Sequence, residues 1–189
     1  MAHKQHFEFF DSVKLMFPRY FSNSMVLDIG SLDINGCNKP MFRNCEYIGV
    51  DIGPGKNVDV VCLAHEYDGK DESFDAIVSS NCFEHDMYFH RSLSSALRML
   101  KKSGLLLFVC KTIPDGGNER TGEHGTIVSD TFSSPLTSSI HGWDTYYKNL
   151  TRSDVEKALS PKLNFSSYEI SINAEANDIR FWGIKCASS

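Results

Sequence analysis

Two aspartates 23 positions apart, a glycine turn between them and a later Glu-His pair are the residues of this chain best suited to chemistry. Asp28 lies in "VLDIGSLDINGC" (26–37), where a buried strand runs into a turn at Gly30 and continues to Gly36. Such a turn lets backbone approach a ligand closely. The residues around it exclude the commonest ligand of glycine turns. A pyrophosphate needs G-x-G-x-x-G opening a helix. Here Leu32 stands where a second glycine is expected, and Asp33 adds a negative charge. A P-loop fails as well: no Gly-Lys-Ser/Thr follows Gly36, and "GPGK" at 53–56 lacks the first glycine and the hydroxyl. An acidic turn suits a ligand carrying positive charge. Asp51, closing "EYIGVD", stands where an α/β nucleoside site keeps its ribose carboxylate.

Those residues need a scaffold, and the apolar pattern supplies one. Near-continuous apolar runs occur at "MVLDIG" (25–30), "EYIGVDI" (46–52), "VDVVC" (58–62), "FDAIVSS" (74–80) and "GLLLFVC" (104–110). Runs of this kind read as strands buried on both faces, hence a parallel sheet covered by helices. Leu93, Ala96, Leu97 and Leu100 form a helical stripe between the fourth and fifth runs, with Lys101, Lys102 and Gly104 at its exit. Phe7, Phe10, Val13, Phe17 and Phe21 predict an N-terminal helix within residues 1–24, kinked or ended by Pro18. Thr151 with Asp154 predicts a capped helix start. The runs 164–173 and 178–186, joined by a short "AEAN", predict an antiparallel hairpin. The expected fold is one domain over 1–189: a doubly wound, mostly parallel, seven-stranded α/β sheet ending in that hairpin. Residues 112–142, rich in Gly, Ser, Thr and Pro, are expected to form a long loop or lid. Ligands of such sheets bind beyond the carboxyl ends of the strands. Asp28, Gly30, Asp51 and Asn81 all lie at such ends.

The bulk composition narrows the partners. A chain of 189 residues with 41% hydrophobic and 23% charged residues is ordinary for one globular domain. Its net charge of −5, with scattered lysines and arginines, argues against a nucleic-acid surface. No apolar run spans a membrane. Glu8 and Asp11 break the apolar N-terminus, which does not read as a signal peptide, so a cytoplasmic location is expected. The six cysteines show no C-x-x-C spacing, so reduced thiols and no metal site are expected. The oligomeric state is not readable.

S-adenosylmethionine meets the ligand chemistry: a sulfonium, an ammonium, a ribose and no phosphate. Each charge-assisted hydrogen bond contributes about 1.5–3 kcal/mol. Two from Asp51 to the ribose would supply roughly 3–6 of the about 8 kcal/mol that micromolar binding needs. The chain resembles class I S-adenosylmethionine-dependent methyltransferases, in particular the small single-domain, type 11-like group. The resemblance rests on "VLDIGSLDING", "YIGVDIGPGKNVDVV", "ESFDAIVSSNCFEHD", "LKKSGLLLFVC" and the terminal hairpin, and covers residues 25–112 best. It implies that Asp28, Gly30, Ser31, Leu32, Asp33 and Gly36 hold the methionine part. It implies that Asp51 holds the ribose, that Ile52 packs on the adenine, and that Cys62, Leu63 and Ala64 edge it. Asn81, Cys82 and Phe83 close the methionine side, and Glu84 and His85 match the family's Glu-His pair. Leu63 stands where many relatives carry an acid that accepts from the adenine amino group, so that contact is expected to be missing.

The implied reaction is in-line displacement at the sulfonium methyl, onto a small-molecule acceptor such as a sugar or another metabolite. Alignment is the main demand on the protein. His85 and His141 are the candidates to take a proton from the acceptor. His124, Trp143, Tyr146 and Tyr147 are further candidates for the acceptor side. Two competing readings remain at this stage. One is a module of the same fold that binds S-adenosylmethionine without transferring a group; the other is a nicotinamide-dependent oxidoreductase.

Overall fold

The computed structural model describes residues 4–34, 36–112 and 148–187. Seven strands form one sheet in the order β3-β2-β1-β4-β5-β7-β6: β1 Met25–Ile29, β2 Glu46–Asp51, β3 Val60–Val61, β4 Phe74–Ser80, β5 Leu100–Lys111, β6 Phe165–Asn173 and β7 Asp178–Lys185. The first five run parallel; β7 inserts antiparallel between β5 and β6. Chain order reverses at β1, between β2 and β4, and the carboxyl ends of these three strands therefore diverge into loops around one crevice. The expected α/β sheet and its terminal hairpin are present. The expected third strand shrinks to two residues at the sheet edge.

Each face of the sheet carries its own core because strand residues alternate sides. On one side Leu27, Ile29, Ile77, Leu106, Phe108, Ile179 and Phe181 pack with α2 (Phe89–Met99) and α3 (Arg152–Leu159), which contribute Leu93, Ala96, Met99, Val155 and Leu159. On the other, Val26, Ala76, Val78, Leu105, Leu107 and Val109 pack beneath Phe9, Phe10 and Val13 of α1 (Lys4–Met16) and Tyr20 and Phe21 of the 3-10 turn Pro18–Phe21. Pro18 stops α1, as its missing N–H and fixed φ require, and the chain tightens into that turn.

Between β1 and β2 the doubly wound pattern is thinned. Among the described residues no α-helix follows the glycine turn; the connection holds only a 3-10 turn, Lys39–Met41. The N-terminal helix α1 covers that face of the sheet instead. The end of α2 also differs from expectation. The helix stops at Met99, and Leu100 already pairs with Phe74 before the register shifts between Phe74 and Ala76. Ser103 at φ 58° absorbs the extra residues.

Helix α3 has the capping box that Thr151 and Asp154 predict. The Thr151 hydroxyl accepts from Asp154 N at 3.2 Å, and Asp154 accepts from Thr151 N at 2.8 Å. A Thr151→Ala variant is expected to lose about 1 kcal/mol, read as a fall of about 2–4 °C in Tm by calorimetry. A fall under half a degree would show that the cap carries no weight.

A four-residue helix, α4 (Pro161–Asn164), leads into β6. No helix among the described residues is long and apolar enough to cross a membrane. The six cysteines are free thiols. Of the 112–142 segment only Thr112 is described; the rest of it, and with it His124 and His141, lies outside the described residues, as do Trp143, Tyr146 and Tyr147.

Candidate cofactor site

Strand β1 ends by delivering Asp28 and Gly30 into the crevice. Gly30 sits at φ +75°, and a Cβ there would stand 2.5 Å from both Cβ and Sγ of Cys82. Backbone twist and steric room therefore both demand glycine. The close approach joins the β1 turn to the loop after β4. That loop opens at Asn81, whose φ of +49° is tolerated by a short amide side chain, and whose N–H donates to Val109 O at 2.8 Å.

Asp28 is buried, with 2% of its surface exposed. Its Oδ2 accepts from the Tyr47 hydroxyl at 2.5 Å and its Oδ1 from Asn38 Nδ2 at 3.3 Å. Burial pushes its carboxyl up to about 7; the two hydrogen bonds pull the other way, and the Asp51 charge adds to the rise. The Tyr47 hydroxyl is itself pushed far above its ordinary range by burial and then by the Asp28 charge, so it acts only as a donor.

Asp51 ends β2, also buried. Oδ2 accepts from Leu32 N and Oδ1 from Gly53 N, both at 3.1 Å. The carboxylate is thereby fixed at the junction of the β1 and β2 loops. Cys62 N donates to Asp51 O at 3.0 Å and sets the Cys62–Leu63 segment alongside. Ile52, Cys62 and Leu63 are half-buried, so each keeps surface that a flat ring can cover.

The turn between the two aspartates departs in detail from a picture in which all its side chains face the ligand. Leu32 folds over the β2–β3 loop, where a Cβ on Gly55 would stand 2.3 Å from Leu32 Cδ1. Asp33 pairs with Lys56 at 2.6 Å and accepts from Gly36 N at 2.9 Å. The Lys56 bond first, then the Gly36 bond, lowers its carboxyl. Its charge is thus neutralised inside the turn rather than offered to a ligand. Ser31 is buried, with its hydroxyl beside Gly49 of β2. Phe83 is fully buried and its ring meets Phe108 edge-on at 5.3 Å, so only its backbone can face the crevice. Cys82 touches the turn at Gly30, and burial pushes its thiol up.

The Glu-His pair splits. Glu84 is buried, accepts from Lys111 N at 3.3 Å, and burial pushes its carboxyl up to about 7. His85 is half-buried at the same loop and its N–H donates to Cys82 O at 2.9 Å. Among the described residues no group of three or more His, Cys, Asp or Glu side chains is placed to hold a metal.

The structure also brings in residues that sequence reasoning missed: Tyr47, Asn38, Ser80 and His6. A signal existed for His6. It lies four and seven residues before Phe10 and Val13, which places a polar ring on the apolar face of α1.

Among the described residues no α-helix follows the glycine turn to offer an N-terminus to a pyrophosphate, while two buried carboxylates at adjacent strand ends suit a cationic nucleoside. With the strand order and the antiparallel β7, this is the fold shared by class I S-adenosylmethionine-dependent methyltransferases. A family model described as "Methyltransferase domain" matches residues 27–108, from β1 to β5. Solved structures repeat the fold at low identity. The 1,6-didemethyltoxoflavin-N1-methyltransferase of Burkholderia thailandensis, solved with 1,6-didemethyltoxoflavin and S-adenosylhomocysteine, is 14% identical with a TM-score of 0.62, over 93% of this chain and 77% of that one. The PH0226 protein of Pyrococcus horikoshii is 15% identical with a TM-score of 0.60, over 97% and 92%. Phosphoethanolamine N-methyltransferase 2 of Haemonchus contortus, solved with S-adenosyl-L-methionine, is 18% identical with a TM-score of 0.57, over 93% of this chain. This chain spans 52% of that enzyme's length. No curated protein sequence matches the chain.

Proposed function

We propose that the protein binds S-adenosylmethionine across the ends of β1, β2 and β4 and transfers its methyl group to a small-molecule acceptor. The observation that carries this reading is the pair of buried carboxylates, Asp28 and Asp51, flanking a glycine turn that no α-helix follows among the described residues. Asp51 accepts from the ribose hydroxyls, and Asp28 faces the ammonium of the methionine part. The backbone of the turn through Gly30, Ser31 and Gly36 lies against that part, with Leu32 and Asp33 shaping the turn from behind. Ile52 covers the adenine and Cys62 and Leu63 lie at its edge. Asn81 and Cys82, with the Phe83 backbone, close the β4 side.

When bound, the cofactor supplies a methyl already activated by the charge on its sulfur. The residues of this chain then have three tasks: to align the acceptor, to keep water out, and to take a proton where the acceptor releases one. His85, half-buried in the turn after β4, is the first candidate for the third. His141 is the second candidate. The two enzymes named above act on small molecules, which supports a small acceptor.

The test is thermal unfolding with 1 mM S-adenosylmethionine, S-adenosylhomocysteine or NAD. A dissociation constant of about 10 µM predicts about 2.7 kcal/mol of stabilisation, or roughly 5–10 °C in Tm, for the first two and none for NAD. No shift with either sulfur ligand overturns the proposal. Methyl transfer is then read by screening acceptors with labelled cofactor.

A further inference from the structure

A buried chain of hydrogen bonds runs from the N-terminal helix to the cofactor carboxylate. His6, 1% exposed, places Nε2 2.8 Å from Ser80 Oγ at the end of β4. Ser80 Oγ donates to Asn38 Oδ1 at 3.0 Å, and Asn38 Nδ2 donates to Asp28 Oδ1 at 3.3 Å. The direction of the chain is fixed by its end. An ionised carboxylate only accepts, so Asn38 must turn its amide protons to Asp28 and leave its carbonyl to Ser80. Ser80, having given its one proton to Asn38, can only accept from His6. His6 therefore carries a proton on Nε2, and every donor in the chain points toward Asp28.

We propose that His6 is a positioning residue of the cofactor site, acting through Ser80 and Asn38 on the carboxylate of Asp28. This rests on the reading of Asp28 as a cofactor contact. The residues span a helix, a loop and two strands, and 74 positions separate His6 from Ser80. The ring is buried among Phe7 and Phe10, with centroids at 5.0 and 4.8 Å. A buried imidazole is costly unless hydrogen-bonded. Packing alone does not account for histidine; the bond to Ser80 does. With no α-helix among the described residues between β1 and β2, α1 covers this face, and its docking and the aim of Asp28 are one arrangement. Around Asp28 stand Tyr47 and Asp51 of β2, Asn38 of the turn, Ser80 of β4 and His6 of α1; Cys37 and Asp59 lie near the Tyr47 hydroxyl.

The test is calorimetric titration with S-adenosylmethionine between pH 5.5 and 7.5, on the wild type, His6→Phe, His6→Gln, Ser80→Ala, Asp28→Asn and the His6→Phe/Asp28→Asn double variant. His6→Phe keeps the ring and removes the donor; His6→Gln keeps a donor. The expected result is a five- to twentyfold weaker affinity for His6→Phe and Ser80→Ala at pH 7, near-recovery with His6→Gln, and no added loss from His6→Phe when residue 28 is already asparagine. Loss of a polarised donor should also move the pH midpoint of binding upward. An affinity within twofold of wild type for His6→Phe, or the same loss with and without the Asp28→Asn change, overturns the proposal. If His6→Phe does not fold, judged by its ligand-free Tm, the cycle of Ser80→Ala with a Ser80→Ala/Asp28→Asn double variant decides. If Asp28→Asn binds too weakly to complete a cycle, the shift of midpoint decides. Unchanged binding by Asp28→Asn would instead refute the Asp28 contact itself. Failure of the wild type to bind refutes the proposed function.

Discussion

Asp51→Ala is expected to raise the dissociation constant for S-adenosylmethionine at least about 100-fold, measured by isothermal titration. Two charge-assisted bonds to the ribose amount to roughly 3–6 kcal/mol, and tenfold in affinity is about 1.4 kcal/mol. The lower end already gives a factor above 100. The carboxylate also holds Leu32 N and Gly53 N, so its loss loosens the turn that faces the rest of the cofactor. Asp51→Asn should fare little better. Its amide nitrogen cannot accept, and it would turn a donor toward either a ribose hydroxyl or one of those backbone N–H groups. The ligand-free Tm should fall by only a few degrees, because Asp51 lies outside both apolar cores. An affinity within tenfold of wild type for the alanine variant would remove Asp51 from the ribose site.

The strands that carry Asp28 and Asp51 were legible because a central parallel strand is apolar on both faces and leaves a continuous run. "VLDIG" and "FDAIVSS" yield β1 and β4 within a residue. The Thr151 cap was legible because it is local: two residues three positions apart decide it. What the sequence hid depends on contacts between distant segments. A doubly wound pattern implies a helix after β1, yet residues 30–45 contain Gly36, Asn38 and Pro40 and no helical stripe. Leu32 reads as an obstruction in a glycine turn until Gly55, from another loop, is seen to make room for it. Asp33 reads as a ligand group until Lys56 is seen to pair with it. Tyr47 and Asn38 converge on Asp28 only through the register of β1 with β2 and the path of the intervening loop. Such pairs have no period and no fixed spacing.

The same buried carboxylate should make the protein trade stability for binding as pH rises. Asp28 titrates near 3.8 when unfolded and about 7 when folded. A raised folded value means that its neutral form favours the fold. That contribution is whole below about pH 4 and is lost as pH rises through 7, with a full loss of about 4 kcal/mol. Glu84, pushed up by burial to about 7, acts with the same sign. Asp28→Asn keeps the shape and abolishes the ionisation. At pH 4 the variant and the wild type should melt within a degree or two of each other. At pH 8 the ligand-free variant should melt several degrees higher, and the difference between the two curves isolates Asp28 from Glu84. Binding should run the opposite way. An ammonium beside Asp28 favours the ionised carboxylate, so wild-type affinity for S-adenosylmethionine should climb from pH 5.5 to 7.5. Above that range a free α-amino group begins to lose its own charge. The asparagine variant should bind at least about tenfold more weakly at pH 7.5 and show a flat profile below it. Differential scanning fluorimetry and titration calorimetry over the same buffers read both effects. If the variant's ligand-free Tm follows the same pH dependence as the wild type, the buried Asp28 is not the group that titrates. If the variant is stabilised at pH 8 yet binds with unchanged affinity, the carboxylate is a strained element of the fold and not a contact of the cofactor.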